Sequence, residues 1–300
     1  MSSSIDIKPV TMESKPLLDS YFRKGLFLNS ELTFTNMFIW QPSYNIRYAE
    51  IGDTLCIFSK YKNEPESVNL STFSGNIQEA VSKLLEYFNE ISSPPLIRLF
   101  SKEQKTILSE SFPGMFRFEK DPDSYDYVYN ISDLINLSGS KYHAKRNHIN
   151  KFKSLYNYQY HTMTPEYREA CREMFCRWCE SKKDSISNIG DQLTAVNRLL
   201  DNWESLDIAG GCITVDGQMV AFSFGEVLCY RNSIAVIHLE HADTDFQGSF
   251  PMINQQFLEH QWSDFKLLNR EEDMGLEGLR KAKKSYYPVL LTEKYTATLK

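Results

Sequence analysis

Two stretches of this 300-residue chain hold the side chains best suited to chemistry. The first is Ser233-Ile-Ala-Val-Ile-His-Leu-Glu-His-Ala242, an apolar run of strand type. Alternate side chains of a strand share a face, so Val236, His238 and Glu240 are expected on one side. Ala235, Ile237, Leu239 and His241 then take the other. His238 and Glu240 would sit side by side at the strand's C-terminal end, ahead of a polar loop (Asp243 to Ser249) and a helix from Pro251. Strand ends that feed a helix N-terminus are where such sheets hold ligands. A histidine and a carboxylate there suit a general base and the group that orients it. A hydrogen-bonded polar pair closing the sheet accounts for them equally well.

The second stretch is basic. Lys141, Lys145, Arg146, Lys151 and Lys153 come with His143 and His148 and no acid between them. Read as a helix from Gly139 or Ser140 to about Leu155, it aligns Lys141, Lys145 and His148 on one face. Such a face pairs with phosphate or another polyanion, or else solvates a helix joining two domains; the absence of acids favours the anion. Arg280-Lys-Ala-Lys-Lys284 is a second basic run, partly explained by the helix dipole. If the two runs meet in space, they form a groove for a phosphate-rich ligand.

Other motifs carry less. Cys176-Arg-Trp-Cys179 has C-x-x-C spacing, with Cys171 nearby, but no second ligand pair accompanies it. Core cysteines fit better, and no metal site is expected. G-x-S-x-G, a Walker loop, H-E-x-x-H and a G-x-G-x-x-G after a strand are all absent, which leaves hydrolase, kinase-like and nicotinamide readings without support.

These residues need elements to position them. In the first part, helix periodicity runs from Met12 to Lys24 and from Ile77 to Ile91, with a further helix from Lys102 to Phe112. An aromatic and β-branched stretch, Leu32 to Trp40, precedes Tyr44 to Tyr48 and Thr54 to Phe58, the last two joined at Gly52-Asp53. Leu96 to Phe100 and Tyr125 to Ile131 read as strands. The second part gives a strand at Tyr158 to Thr162 and helices Pro165 to Lys182 and Gln192 to Trp203. Three antiparallel strands then lie between Gly210 and Ala242. A helix to about Trp262, a strand Phe265 to Asn269, a helix Leu276 to Tyr286 and a last strand Val289 to Thr298 close the chain. Two similar α+β halves, 1–138 and 139–300, fit this order.

Composition sets the class. Hydrophobic residues at 42% and charged residues at 24% describe a globular protein with ample core. The net charge of −6 argues against a generic nucleic-acid coat or polybasic membrane binder. No run approaches the ~18 apolar residues a spanning helix needs. The N-terminal Met-Ser-Ser-Ser-Ile-Asp-Ile-Lys-Pro has no secretory pattern, and six cysteines read as reduced thiols. A cytoplasmic protein is expected.

The order of elements over 233–298 resembles the second half of a GNAT-type acyltransferase fold. Three strings go further: Glu31-Leu-Thr-Phe-Thr-Asn-Met-Phe-Ile-Trp40, Lys145-Arg-Asn-His-Ile-Asn-Lys151, and the segment from Leu268 to Pro288. They look like the family named for the C-terminal domain of phosphatidylglycerol lysyltransferase. The resemblance covers nearly the whole chain. Its most specific part is Gly278-Leu-Arg280, Lys283, Tyr286 and Pro288, which match a Gly-Leu-Arg-x-x-Lys-x-x-aromatic-x-Pro pattern.

The resemblance implies two tandem GNAT-like domains, as in the related Fem-type aminoacyltransferases, each a mixed, mostly antiparallel sheet flanked by helices. It implies transfer of an aminoacyl group from a charged tRNA to an amine or hydroxyl acceptor, a small molecule or a lipid headgroup. No cofactor is required beyond aminoacyl-tRNA or acyl-CoA as co-substrate. Arg280 and Lys283 would meet phosphate or the acyl carrier, and Lys145, Arg146 and Lys151 the tRNA end or a headgroup. By position in the fold, Glu240 or His238 would be the base. The ligand is expected in the second half or in the cleft between halves.

Two departures stand out. The family's Asp-x-x-Arg pair corresponds to His238-Leu-Glu-His241, and the acyl-CoA pyrophosphate loop is reduced to Asp243 to Ser249, with Gly248 in roughly the right place. Two alternatives therefore stay open: an acyl-CoA-dependent N-acyltransferase acting on a small amine, and a non-catalytic protein that binds RNA or another polyanion.

Overall fold

The computed structural model describes residues 5–25, 28–71, 76–182 and 188–300; the N-terminal Met-Ser-Ser-Ser lies outside the described residues. Two compact units emerge, neither continuous in sequence. Residues 1–126, 272–277 and 291–300 make the first, and 127–271 with 278–290 the second. The chain thus divides at Asp126/Tyr127, not near Ser138 to Lys141. The reason is strand pairing. Asp126–Asn130 lies antiparallel to Leu267–Asn269, with Asn130 opposite Leu267 and Val128 opposite Asn269, so Tyr127 and Tyr129 already belong to the second core.

The first sheet has the order Lys8–Pro9, Arg47–Ile51, Thr54–Ser59, Ser67–Leu70, Leu96–Phe100, Tyr295–Leu299, Phe116–Lys120. It is mixed, since Ser67–Leu70 runs parallel to Leu96–Phe100. Helix Ile77–Glu90 brings Ala80, Val81, Leu84 and Phe88, spaced at helical period, onto Phe58, Val68 and Ile97. The Leu32 to Trp40 stretch, despite its β-type residues, becomes helix Phe34–Tyr44. The Thr33 side chain accepts the Asn36 N–H at 3.2 Å to start it, and Asn45 in the left-handed region ends it. Cap and burial of Phe34, Met37, Phe38 and Ile39 outweigh a weak local propensity.

The expected last strand is two. Leu290–Thr292 and Tyr295–Leu299 belong to different sheets, and Lys294 between them is completely buried. Its Nζ donates to Asp126 Oδ1 at 2.8 Å and to Glu31; Asp126 also accepts from Ser30 N at 2.9 Å and Ser30 Oγ at 3.0 Å. Glu272 joins these acids, with one oxygen from each of Glu31, Asp126 and Glu272 inside 4.8 Å of the others. Such a trio invites a metal, but the Lys294 ammonium supplies the positive charge it calls for. Burial, opposed by Lys294 and reinforced by Asp126 and Glu272, raises the Glu31 carboxyl to about 8.

The second sheet has the order Leu290–Thr292, Asp126–Asn130, Leu267–Asn269, Ile234–Ala242, Gln218–Cys229, Ile208–Val215, Tyr158–Thr162. Its meander turns at Asp216-Gly217, both in the left-handed region (φ 48 and 84), as a two-residue hairpin requires. Helices His143–Leu155 and Ser249–Gln261 cover one face through Ile149, Phe152, Met252, Ile253 and Phe257. On the other, helix Arg168–Lys182 packs Phe175 and Trp178 around Phe222 and His241. Burial against these rings drives His241 down to about 4, so the half-buried imidazole is neutral. Cys171 and Cys179 are buried on the same helix, and burial raises both thiols. Among the described residues, no helix is long and apolar enough to cross a membrane.

Candidate active site of the second unit

Ile234–Ala242 and Leu267–Asn269 run parallel, paired at Ile234/Leu267, Ala235/Leu268 and Val236/Asn269. Beyond that point they cease to pair. His238 and Glu240 follow on one strand, Arg270 and Glu271 on the other. Against Gln218–Cys229, Leu239 pairs with Phe224 and Ile237 with Gly225, so His238 is the extra residue of a β-bulge. The bulge breaks the alternation. Ser223 pairs with Glu240 and Glu226 with Val236, and residues three apart on a regular strand face opposite sides. His238 and Glu240 are therefore not the side-by-side pair that alternation predicts. Each ties to a different residue after Asn269.

His238 is completely buried, with Nε2 2.8 Å from Glu226 Oε1 and Nδ1 2.8 Å from Glu271 Oε1. Burial alone would lower its pKa. The hydrogen bonds and charges of the two carboxylates outweigh that and raise it to about 10. The ring is then an imidazolium donating both N–H groups, with no lone pair to take a proton. It suits a tie across the diverging strands, not the base expected of it.

Glu240 Oε1 accepts from Arg270 Nη2 at 2.7 Å, and its Oε2 accepts from Asn254 Nδ2 at 3.1 Å. The Arg270 guanidinium lies 5.0 Å from the centroid of Tyr286 and 5.8 Å from that of Tyr129. Burial opposes its charge, but Glu240 holds it protonated. Its Nη1 is buried and has no acceptor among the described residues. Lys145, from helix His143–Leu155, brings its Nζ to 3.9 Å from the centroid of the same Tyr286 ring. Burial, and then the charge of Arg270, lower this lysine to about 8.

Lys283 is buried, and its Nζ donates to the carbonyls of Arg270 and, at 3.0 Å, Glu271. Glu271 sits at φ 58, and its N–H donates to Asn269 Oδ1 at 2.7 Å. A left-handed non-glycine residue costs about 1–2 kcal/mol, which these bonds offset. Lys283 thus fixes the backbone that aims Arg270 and Glu271, and its ammonium is committed to carbonyls instead of the expected phosphate.

The remaining expected residues are dispersed. Arg146 Nη1 donates to the carbonyls of Leu137 and, at 2.7 Å, Gly139, closing the end of helix Ile131–Asn136. Lys151 is exposed, and Arg280 is half-buried on helix Glu277–Lys284. Gly248 has φ 94, and a Cβ there would lie 2.4 Å from the His148 carbonyl and 3.2 Å from Phe152 Cβ. It is the contact that lets helix Ser249–Gln261 approach helix His143–Leu155. Gly248→Ala is expected to destabilise the protein by about 1–3 kcal/mol, read as a lower thermal midpoint.

The structure therefore gathers Lys145 and Glu240 around Arg270 and Tyr286, and sets His238 apart. Arg270, Glu226, Glu271 and Asn254 were not singled out from sequence. The available signal was Arg270-Glu-Glu272, a charged triplet directly after a short apolar strand.

The family described as "Phosphatidylglycerol lysyltransferase, C-terminal" matches residues 23–298. A conserved protein of unknown function from Bacteroides thetaiotaomicron is similar throughout: TM-score 0.92 at 32% identity, covering 99% of this chain and 100% of that one. The structure of L-PGS from Bacillus licheniformis has a TM-score of 0.63 at 16% identity, covering 94% of this chain and 91% of that one. FemX also gives 0.63, at 10% identity over 99% and 98%. The fold is α+β, tandem and GNAT-like, shared with Fem-type proteins. With the match spanning the two sheets and the site between the diverging strands, this chain belongs to the phosphatidylglycerol lysyltransferase C-terminal family.

Proposed function

We propose that this protein transfers an aminoacyl group from a charged tRNA to an amine or hydroxyl acceptor. The observation that carries the reading is the convergence of Lys145 and Arg270 on the Tyr286 ring, in a chain of this family. An aminoacyl ester is already activated, so the protein needs to position two substrates, move one proton and stabilise an oxyanion. The acceptor's nitrogen or oxygen bonds to the acyl carbon, the ester bond to the tRNA breaks, and the acceptor's proton ends on the departing ribose oxygen. Lys145 and Arg270 supply positive charge in a half-buried setting. Glu240 is the carboxylate at this site suited to relay the proton. Lys151 and Arg280 are the side chains we assign to RNA phosphates.

Equilibrium binding to bulk bacterial tRNA, aminoacylated and deacylated, at two salt concentrations and with CoA as competitor, tests this. Charged tRNA is expected to bind about tenfold more tightly, ~1.4 kcal/mol, and both forms should weaken with salt. Equal affinity for the two forms, or displacement by CoA, would overturn the reading.

A further inference from the structure

We infer that Lys145, Arg270 and Tyr286 form a binding site for a single oxyanion, carboxylate or phosphate, carried by the substrate. The inference rests on the transferase reading only for the role of that anion. Three observations converge. Arg270 spends Nη2 on Glu240 while Nη1 is buried without an acceptor among the described residues. Buried polar atoms are nearly always satisfied, and an orphaned charged donor is among the most costly.

Charge is unbalanced in the same place. Glu240 offsets Arg270, but no carboxylate partner faces the Lys145 ammonium among the described residues. Two cations share one tyrosine ring against one acid. A water molecule would satisfy Nη1 and leave that excess charge untouched; an oxyanion answers both. Guanidinium is built for this, since its planar fork takes one carboxylate along one edge and leaves donors for a second anion.

The site is also preorganised. Asn254 holds the far oxygen of Glu240, and Lys283 holds the Arg270 backbone, so the guanidinium keeps its direction without ligand. One fork edge and one ammonium suit a single anionic group, not a tract of RNA backbone.

The test is calorimetric titration of the full chain, free of tRNA, with inorganic phosphate and separately with N-acetylglycine, at constant ionic strength in chloride. Saturable one-to-one binding of at least one probe is expected. Lys145→Gln, at a half-exposed position that should fold normally, is expected to weaken it by about tenfold or more. Arg270→Lys keeps the charge but removes the fork and should weaken it as well. Lys266→Gln, at an exposed lysine elsewhere in the unit, should leave it unchanged. Preference for phosphate points to a phosphate-bearing substrate, and preference for N-acetylglycine to a carboxylate-bearing one. No saturable binding of either probe, or binding undiminished in Lys145→Gln, overturns the inference. Anion binding without discrimination of charged tRNA would instead sink the transferase reading alone.

Discussion

Lys294→Met is expected to destabilise the protein by about 3–5 kcal/mol near neutral pH, the loss that follows when one partner of a buried ion pair is removed. The ammonium is completely shielded from solvent and donates to both Asp126 and Glu31. Methionine matches the shape of the stem and adds no hydrogen bond, so the Asp126 carboxylate loses its buried cation in a medium that cannot screen it, and Glu31, already raised by burial, is driven further toward its neutral form. Asp126 would keep its bonds to Ser30, and Glu272 adds further negative charge. Urea unfolding followed by fluorescence reads the loss directly. A double-mutant cycle with Glu31→Gln separates the pair from the cavity: coupling of about 1–3 kcal/mol is expected between the two positions. A loss under about 1 kcal/mol would mean that the ammonium only balances its own desolvation.

The second large effect depends on pH. His238→Gln should cost about 3–5 kcal/mol at pH 6, because Glu226 and Glu271 lose the cation between them. Folding raises the pKa of His238 from its ordinary value near 6.5 to about 10. The folded state therefore binds the proton more tightly than the unfolded chain does. That stabilisation is complete below about pH 6.5 and declines as the pH rises through the folded value, about 10. The gap between wild type and variant should narrow steadily across that window. A gap constant from pH 6 to 10 would show that the ring is held neutral and contributes only packing. Base chemistry at His238 would gain credit from that same result, so the measurement also decides between a structural tie and a catalytic group.

Local patterns made much of the scaffold legible. The hairpin at Asp216-Gly217, the helix carrying Ala80 to Phe88 and the strand ending at Ala242 all follow from short-range periodicity. The candidate site resisted for a physical reason. Its geometry turns on one inserted residue, His238, whose bulge is set by pairing with Phe224 and Gly225 and not by the order of apolar and polar residues. Glu240 and Arg270 meet across 30 positions of chain, a separation no periodicity reports. Lys283 was visible as one of several lysines in a basic run, yet its commitment to two carbonyls needs the turn after Asn269 to exist first. The bonds of Arg146 were hidden in the same way: two of its partners are backbone carbonyls, which a sequence does not advertise.

The strand Tyr295–Leu299 lies between Leu96–Phe100 and Phe116–Lys120, antiparallel to both. A ribosome delivers it after the whole second unit. Until then the nascent first unit presents two unpaired strand edges, separated by the gap this segment will fill, while residues 127–271 are still being made. Such edges are templates for pairing with other chains. Folding of the first unit thus waits for a segment made at least about 170 residues after its partner strands, with high contact order and a correspondingly slow final step. A chaperone that shields β-edges, or prompt formation of the second unit, would set the yield of native protein more than the intrinsic stability of either sheet.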